Sequence, residues 1–153
     1  MKFLTKINQF FLVGISFSLL LTSCGGEEDQ AVEDTISGRY VGGWNSNPPT
    51  SNIYENYPIS AIVTLVSENE YEGEFFFTNS HVSCCGSEND GTIKMSISGT
   101  SITSWTYDDR VRGCFGEFMG SGTIESDGRL FIDFTGGDCE GEHADAFLFL
   151  RKE

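Results

Sequence analysis

The chain has 153 residues, of which 23 are acidic and 9 are basic, so its formal charge at neutral pH is −14. A surface this acidic repels the phosphate backbone of nucleic acids, which argues against RNA or DNA as a partner.

The first 24 residues carry the pattern of a secretory signal. Lys2 and Lys6 give a short positive start, and residues 10–21 are apolar or small apart from two serines. This run is shorter than the roughly 20 apolar residues that span a bilayer, but it suits the hydrophobic region of a signal peptide. It ends in the sequence Leu-Thr-Ser-Cys, with Cys24 as the last residue.

A hydrophobic residue, two small residues and a cysteine directly after a hydrophobic region resemble the lipobox of bacterial lipoproteins. The resemblance implies that cleavage removes residues 1–23, that the Cys24 thiol takes a diacylglycerol, and that the new amino terminus receives a fatty acid such as palmitate. Several acyl chains on one residue hold a protein firmly on a membrane. We therefore expect a lipid anchor in the outer membrane of a Gram-negative bacterium. The alternative is an ordinary signal peptide with a chance cysteine.

Residues 24–35 predict a flexible acidic tether. Two glycines precede three acidic residues at 27–29, and such a polar stretch cannot build a hydrophobic core. The acidic residues resemble the signal that sends some lipoproteins to the outer face of the outer membrane, and a plain solvated linker is the equal alternative. Without Lys2 and Lys6, seven basic residues face 23 acidic ones, a charge of −16. This charge repels anionic headgroups, which leaves the acyl chains as the anchor.

Residues 36–153 predict a single all-β domain, a usual size for one domain. No window shows the i, i+3, i+4 spacing of an amphipathic helix, and alternating apolar segments are separated by turn residues. Eight segments qualify as strands: residues 36–44, 59–66, 71–77, 93–97, 102–107, 115–124, 129–134 and 144–151.

The connections between these strands alternate in length. The tight ones are residues 67–70, 99–100 and 126–128, and the long ones are residues 45–58, 79–91, 108–113 and 135–143. Successive connections of an up-and-down meander alternate between its two ends, so every long loop would lie at the same end. This layout favours an eight-stranded antiparallel up-and-down barrel with one open mouth over a sandwich with Greek-key crossovers.

This layout resembles the lipocalin-like and avidin-like meander barrels, with residues 38–44 as a glycine-and-aromatic first strand. The resemblance implies the fold alone, because no further signature of either family is present and no binding residue can be transferred.

The hairpin before residue 130 allows a prediction of register. A three-residue loop with Gly128 in the left-handed conformation would pair Glu125 with Arg129. Gly120 and Gly122 would then face inward, where missing side chains leave space or allow the strand to bend. The same register places five apolar residues on the inner face: Phe118, Ile124, Leu130, Ile132 and Phe134.

Four further cysteines lie in or beside the long loops, and in an exported protein they should be oxidised. Cys84 and Cys85 are poor partners for each other, because adjacent α-carbons lie about 3.8 Å apart and disulfides favour about 4.4–6.8 Å. The predicted register places Cys114 opposite Glu140 and on the other face from Cys139. We therefore expect Cys84 and Cys85 each to pair with one of the other two, with the vicinal arrangement as the alternative.

Metal binding and catalysis receive little support. His81 and His143 lie near the cysteines, and such a set would suit zinc or copper, but the cysteine spacing of structural zinc sites is absent. Residues 89–90 and 108–109 lack the ligand spacing of a calcium-binding EF-hand. No serine lies in a Gly-x-Ser-x-Gly elbow. We expect neither an enzyme nor a cofactor.

Two binding functions remain. In the first, the barrel lumen holds a small apolar or aromatic ligand, although a barrel of eight strands is only just wide enough for side chains to fill it. In the second, the core is filled and the long loops, above all residues 45–57, contact a protein or a glycan. The candidate lining of the lumen consists of five aromatic residues: Tyr40, Trp44, Tyr54, Phe75 and Phe77.

Overall fold

The computed structural model describes residues 34–50 and 53–153. The expected signal peptide, the expected lipidation site Cys24 and the tether as far as residue 33 lie outside these ranges. Within them the structure is all-β and contains no helix. Accordingly, no helix of the described part has the length and apolar character needed to cross a bilayer.

The predicted antiparallel up-and-down barrel is confirmed, with one short strand added. Each strand from β1 to β7 pairs with the next, and β9 closes the circle by pairing with both β7 and β1. The extra strand, β8, has two residues and pairs with the end of β7. The strands are β1 (Gly38–Asn47), β2 (Tyr54–Ser67), β3 (Glu70–Phe76), β4 (Gly91–Ser98), β5 (Ser101–Asp109), β6 (Gly116–Ile124), β7 (Leu130–Asp138), β8 (Gly141–Glu142) and β9 (Ala144–Lys152).

The two ends of the barrel differ as the connection lengths predict. The closed end carries the tight turns at residues 68–69, 99–100 and 125–129. The mouth carries the connection between β1 and β2, of which residues 48–50 and 53 are described, and the connections at residues 77–90, 110–115 and 139–143. Because the ladder extends to the pair of Ser46 and Tyr54, the first connection is shorter than predicted. Asn45 supports this extension across the bulge in β1, since its Oδ1 accepts a hydrogen bond from the Asn56 backbone N–H.

The hairpin between β6 and β7 has the predicted register. Ile124 pairs with Leu130, the Glu125 N–H donates to the Arg129 carbonyl at 2.8 Å, and Gly128 has a φ of 82°. Phe118, Leu130, Ile132 and Phe134 are buried, and Ile124 packs against them. An ideal β-carbon on Gly122 would lie 1.9 Å from a backbone oxygen of β7, so only glycine permits this approach of the two strands.

Side chains fill the interior of the barrel. Tyr40, Phe75 and Trp105 are each at most 1% exposed and belong to one continuous hydrophobic cluster. The Tyr40 hydroxyl donates to the Ile36 carbonyl near the closed end, and burial, with smaller contributions from Asp34 and Tyr71, raises the pKa of Tyr40 to about 12. Two of the predicted lining residues, Tyr40 and Phe75, are therefore core.

Candidate functional site

A half-open pocket of about 290 Å³ lies at the mouth, above the filled core. Its floor is formed by Trp44 and Phe118, which are buried and pack on the Tyr107 ring at 6.0 and 5.8 Å between centroids. The residues that line it are Trp44, Tyr54, Tyr57, Phe77, Cys84, Asp109, Val111, Cys114, Phe118, Asp138, Cys139, Glu140 and His143.

One wall of the pocket is aromatic. The ring of Phe77 lies 5.5 Å from Trp44 and 6.1 Å from Tyr57, and Tyr57 lies 5.4 Å from Tyr54, all between ring centroids. These pairs are nearly perpendicular, the edge-to-face geometry that aromatic rings prefer. Tyr57 is 39% exposed and forms the rim. The four rings thus run without a break from the floor to the solvent.

The pocket also has three carboxylates in its lining. The Glu140 Oε2 accepts a hydrogen bond from the Tyr54 hydroxyl at 2.9 Å, which joins the acidic and aromatic walls. The Asp138 Oδ1 accepts one from the Glu140 backbone N–H at 2.7 Å. The third carboxylate, Asp109, is 3% exposed. All three carboxylates are therefore held in place by the fold.

Burial raises the pKa of the Asp109 carboxyl to about 6. Its Oδ1 accepts hydrogen bonds from the Val111 backbone N–H at 2.9 Å and from the Tyr107 hydroxyl at 3.1 Å. These bonds favour the charged form and oppose the effect of burial, while the negative charges of Asp138 and Asp90 add to it. The pocket therefore holds a carboxyl group whose pKa lies above the usual range of aspartate.

A chain of hydrogen bonds fixes the buried side chain of His143. The Trp44 Nε1–H donates to the Ser46 Oγ at 2.8 Å, and the same oxygen lies 2.8 Å from the His143 Nδ1. A neutral imidazole that bonds to both neighbours accepts the Ser46 hydroxyl at Nδ1 and carries its proton on Nε2, because the carboxylate beside Nε2 can only accept. This Nε2 lies 3.3 Å from the Asp138 Oδ1. The imidazole is thus locked by partners on both of its nitrogens.

Ser46, His143 and Asp138 have the connectivity of a hydrolytic triad but not its access. Ser46 is 2% exposed and does not line the pocket. Its oxygen already accepts the indole N–H, so no substrate carbonyl can approach it in this arrangement. The geometry suits a structural brace for the floor.

The disulfide pairing predicted from the sequence is wrong. Cys84 pairs with Cys85, and Cys114 pairs with Cys139. The ladder between β6 and β7 ends at Glu117, before the predicted opposition of Cys114 and residue 140 is reached. The chain then turns back into β8 at residues 139–140, which brings Cys139 within 4.8 Å of Cys114 between α-carbons. Cys84 and Cys85 are left to pair with each other.

The loop that carries the vicinal disulfide is organised around one buried carboxylate. Asp90 is fully buried. Its Oδ2 accepts the backbone N–H groups of Phe77 and Cys84 at 2.8 and 3.1 Å, and its Oδ1 accepts the Ser83 hydroxyl. These bonds hold Cys84 against the pocket although no strand ladder supports it.

The structure separates the residues considered as metal ligands. The His81 Nε2 lies 3.1 Å from the Tyr40 carbonyl oxygen, and its ring packs on Phe76, which faces away from the lumen. His143 instead lies inside the mouth. Among the described residues, the clusters with metal-ligand spacing contain either disulfide sulfurs or His143, whose two ring nitrogens both have hydrogen-bond partners. Of the residues considered for calcium binding, Asn89 lies beside Asp90 in its loop, and the Asp108 carboxylate pairs with Arg110 at 2.9 Å.

Three of the five predicted lining residues, Trp44, Tyr54 and Phe77, line the mouth pocket rather than a deep lumen. Sequence reasoning missed the acidic wall. A signal for Asp109 was present, because Trp105, Tyr107 and Asp109 keep the two-residue alternation of inward positions. Tyr57 offered the same kind of signal, because it continues the alternation of Ile59 and Ala61, whereas Glu140 lies in the turn between β7 and β8 and offered none.

Comparisons with protein-family models, with curated proteins and with solved structures each return no match. The likeness to lipocalin-like and avidin-like barrels therefore concerns the strand layout. Any ligand must be inferred from the walls of the pocket themselves.

Proposed function

We propose that this chain is a lipid-anchored, extracytoplasmic binding protein that holds a small apolar or aromatic molecule in its mouth pocket. The observation that carries the proposal is the unbroken aromatic wall of a half-open cavity above a filled core. Ligand sites are typically concave, mostly apolar and supplied with a few fixed polar groups. A volume of about 290 Å³ is near the lower end of the usual range of about 300–1,000 Å³, so the ligand would be small.

The pocket is built to keep its shape without a ligand. Asp90 holds the loop of Cys84, and the disulfide between Cys114 and Cys139 joins two other segments of the mouth. Such preorganisation reduces the entropy lost on binding, because the walls are ordered beforehand.

The first residues of the barrel bear on where a lipid anchor at Cys24 would be attached. Gly38, the first residue of β1, pairs with Val63 near the turn at residues 68–69. The chain therefore enters the barrel at the closed end. An anchor at Cys24 would therefore be attached to the end of the barrel opposite the mouth, which keeps the attachment point away from the pocket.

Trp44 offers a direct test of binding. The protein has two tryptophans, and replacing the core residue Trp105 by phenylalanine leaves Trp44 on the pocket floor as the reporter. Titration with phenol, benzyl alcohol and cyclohexanol should give a saturable change in emission. Tyr57→Ala should weaken binding by about threefold to tenfold. Phe115→Ala, a control at an exposed residue of the mouth that does not line the pocket, should leave it unchanged.

Ligand-observed NMR supplies a second readout that does not depend on tryptophan. If neither method detects binding of any probe at millimolar concentration, or if the control variant weakens binding as much as Tyr57→Ala, the pocket is not a ligand site.

The second candidate function is contact of the mouth loops with a protein or a glycan. The specific observation in its favour is a set of exposed apolar side chains on three mouth loops: Ile53 and Val82, each 62% exposed, and Phe115, 69% exposed. A variant with all three changed to serine separates the functions. It should keep binding to small probes if the pocket is the site, and lose only the macromolecular contact.

The lipid anchor has its own test. Expression of the full chain in a Gram-negative host with labelled palmitate should give a labelled protein whose mature amino terminus is residue 24. Cys24→Ser should lose the label and leave the membrane fraction. A mature terminus at another residue would contradict the lipobox assignment.

A further inference from the structure

The mouth pocket combines an aromatic wall with several acidic groups, and both features attract positive charge. Three of its lining side chains are carboxylic acids, Asp109, Asp138 and Glu140, whereas none of the described residues that line it is lysine or arginine. An anionic ligand would therefore enter against like charges. Two of these acids, Asp138 and Asp109, are largely buried at the wall of the half-open pocket. Electrostatic interactions are stronger there than in bulk water, although water in the pocket screens part of them.

The aromatic wall attracts the same kind of ligand as the acids do. Aromatic faces carry negative electrostatic potential, and a cation within about 6 Å of a ring centroid is held by it, most strongly over tryptophan and tyrosine. Trp44, Phe77 and Tyr57 follow each other at 5.5 and 6.1 Å, so one small group can contact more than one ring. The hydrogen bond from Tyr54 to Glu140 places a carboxylate at the edge of this wall.

We propose that the ligand of the mouth pocket is a small organic cation, with an ammonium or methylated ammonium group held between the aromatic wall and the carboxylates of Asp109 and Glu140. This inference rests on the proposed function of the pocket and adds the charge of the ligand to it. A bare metal ion fits less well, because it would leave the rings without contact and would find both nitrogens of His143 engaged.

The surroundings of Asp109 favour a ligand of opposite charge. Burial raises the pKa of Asp109 to about 6, and the charges of Asp138 and Asp90 add to this effect. A bound cation would favour the ionised carboxyl, since an opposite charge nearby lowers the pKa of an acid.

Three probes of matching shape and different charge test the proposal. Choline, 3,3-dimethylbutan-1-ol and 3,3-dimethylbutanoate share a branched apolar head and carry a positive, a neutral and a negative group, respectively. Calorimetry and Trp44 emission in the Trp105→Phe background should show that choline binds at least about tenfold more tightly than the alcohol. The carboxylate should show no binding.

Glu140→Gln identifies the source of this preference. Glutamine keeps an oxygen that can accept the Tyr54 hydroxyl, so the wall should survive while the charge is lost. Choline affinity should fall about fivefold to tenfold, and the affinity of the alcohol should change by less than about twofold. Glu142→Gln removes an exposed carboxylate of β8 that does not line the pocket, and it should leave choline affinity unchanged.

The outcomes separate this inference from the function on which it rests. Equal binding of choline and the alcohol, or binding of the neutral probes alone, overturns the cation proposal and leaves the pocket as a site for neutral molecules. Equal losses in Glu140→Gln and Glu142→Gln would reduce the preference to the general charge of the protein and would also overturn it. If no probe of any charge binds, both proposals fail together.

Discussion

Replacing Asp109 by asparagine should stabilise the barrel at pH 8 and have a much smaller effect at pH 4. The Asp109 carboxyl is 3% exposed, and its Oδ1 accepts both of its hydrogen bonds, from the Tyr107 hydroxyl and the Val111 N–H. Asparagine retains that oxygen. Its neutral NH2 group would take the place of Oδ2, which removes the repulsion from the negative charges of Asp138 and Asp90.

The size of the expected stabilisation, and the pH range in which it is present, follow from the pKa of Asp109. The folded state raises this pKa from 3.8 to about 6, so the folded protein binds the proton more tightly than the unfolded chain does. Stability from this group is therefore present below about pH 4, is lost as the pH rises from about 4 to 6, and stays lost above that range. Two pKa units correspond to about 3 kcal/mol. Because Asp109 faces a half-open pocket, solvent screening should reduce the observed difference to about 1–2 kcal/mol.

Urea unfolding of both proteins between pH 4 and pH 8, with the disulfides intact, measures this difference directly. The asparagine variant should be more stable by about 1–2 kcal/mol at pH 8, and the gap should close as the pH falls through 6 to 4. Asp108→Asn is the matched control, because this neighbouring side chain is exposed and pairs with Arg110. A gap that does not depend on pH, or a variant that is less stable at pH 8, would refute the reasoning about Asp109.

Three further changes test the core, the mouth and the sheet by urea unfolding. Trp44→Phe should cost about 1 kcal/mol more than Trp105→Phe, because the Trp44 Nε1–H donates a hydrogen bond at 2.8 Å, whereas the Trp105 Nε1 is buried with no hydrogen-bond partner among the described residues. The double change Cys114→Ser and Cys139→Ser opens a crosslink that spans 25 residues, so it should cost about 3 kcal/mol, and an equal stability of both proteins would contradict this. Gly122→Ala should cost about 3 kcal/mol or more, since its β-carbon would lie 1.9 Å from a backbone oxygen of the next strand; an alanine variant of normal stability would show that β6 can move.

The parts of the fold that local chemistry determines could be predicted from the sequence. Gly128 fits the left-handed position of a three-residue loop, and this turn together with the alternation of apolar residues was enough to give the register of β6 and β7. The alternation of tight and long connections gave the order of the strands. In each case the deciding residues lie within a few positions of one another, where steric limits on the backbone act directly.

The parts that depend on where a ladder stops could not be predicted. Cys139 pairs with Cys114 because β7 ends at Asp138 and turns back into β8. A register argument that continues the strand therefore assigns Cys139 to the wrong face. The contact between Ser46 and His143 joins residues 97 positions apart, and it exists only once the barrel has closed. No spacing in the sequence reports such a contact.

The position of the pocket follows from how the barrel is filled. Large rings such as Trp44 and Tyr107 occupy the width that eight strands enclose, so inside the described barrel a ligand finds room where the ladders end and the loops begin. There, backbone hydrogen bonds between strands no longer hold the chain, and the disulfide between Cys114 and Cys139 and the carboxylate of Asp90 take over that role. The pocket walls should consequently be the part of the domain that is most sensitive to reduction, while the ladders below them remain intact. Such a crosslink persists in an oxidising compartment, which supports the proposed export of the protein.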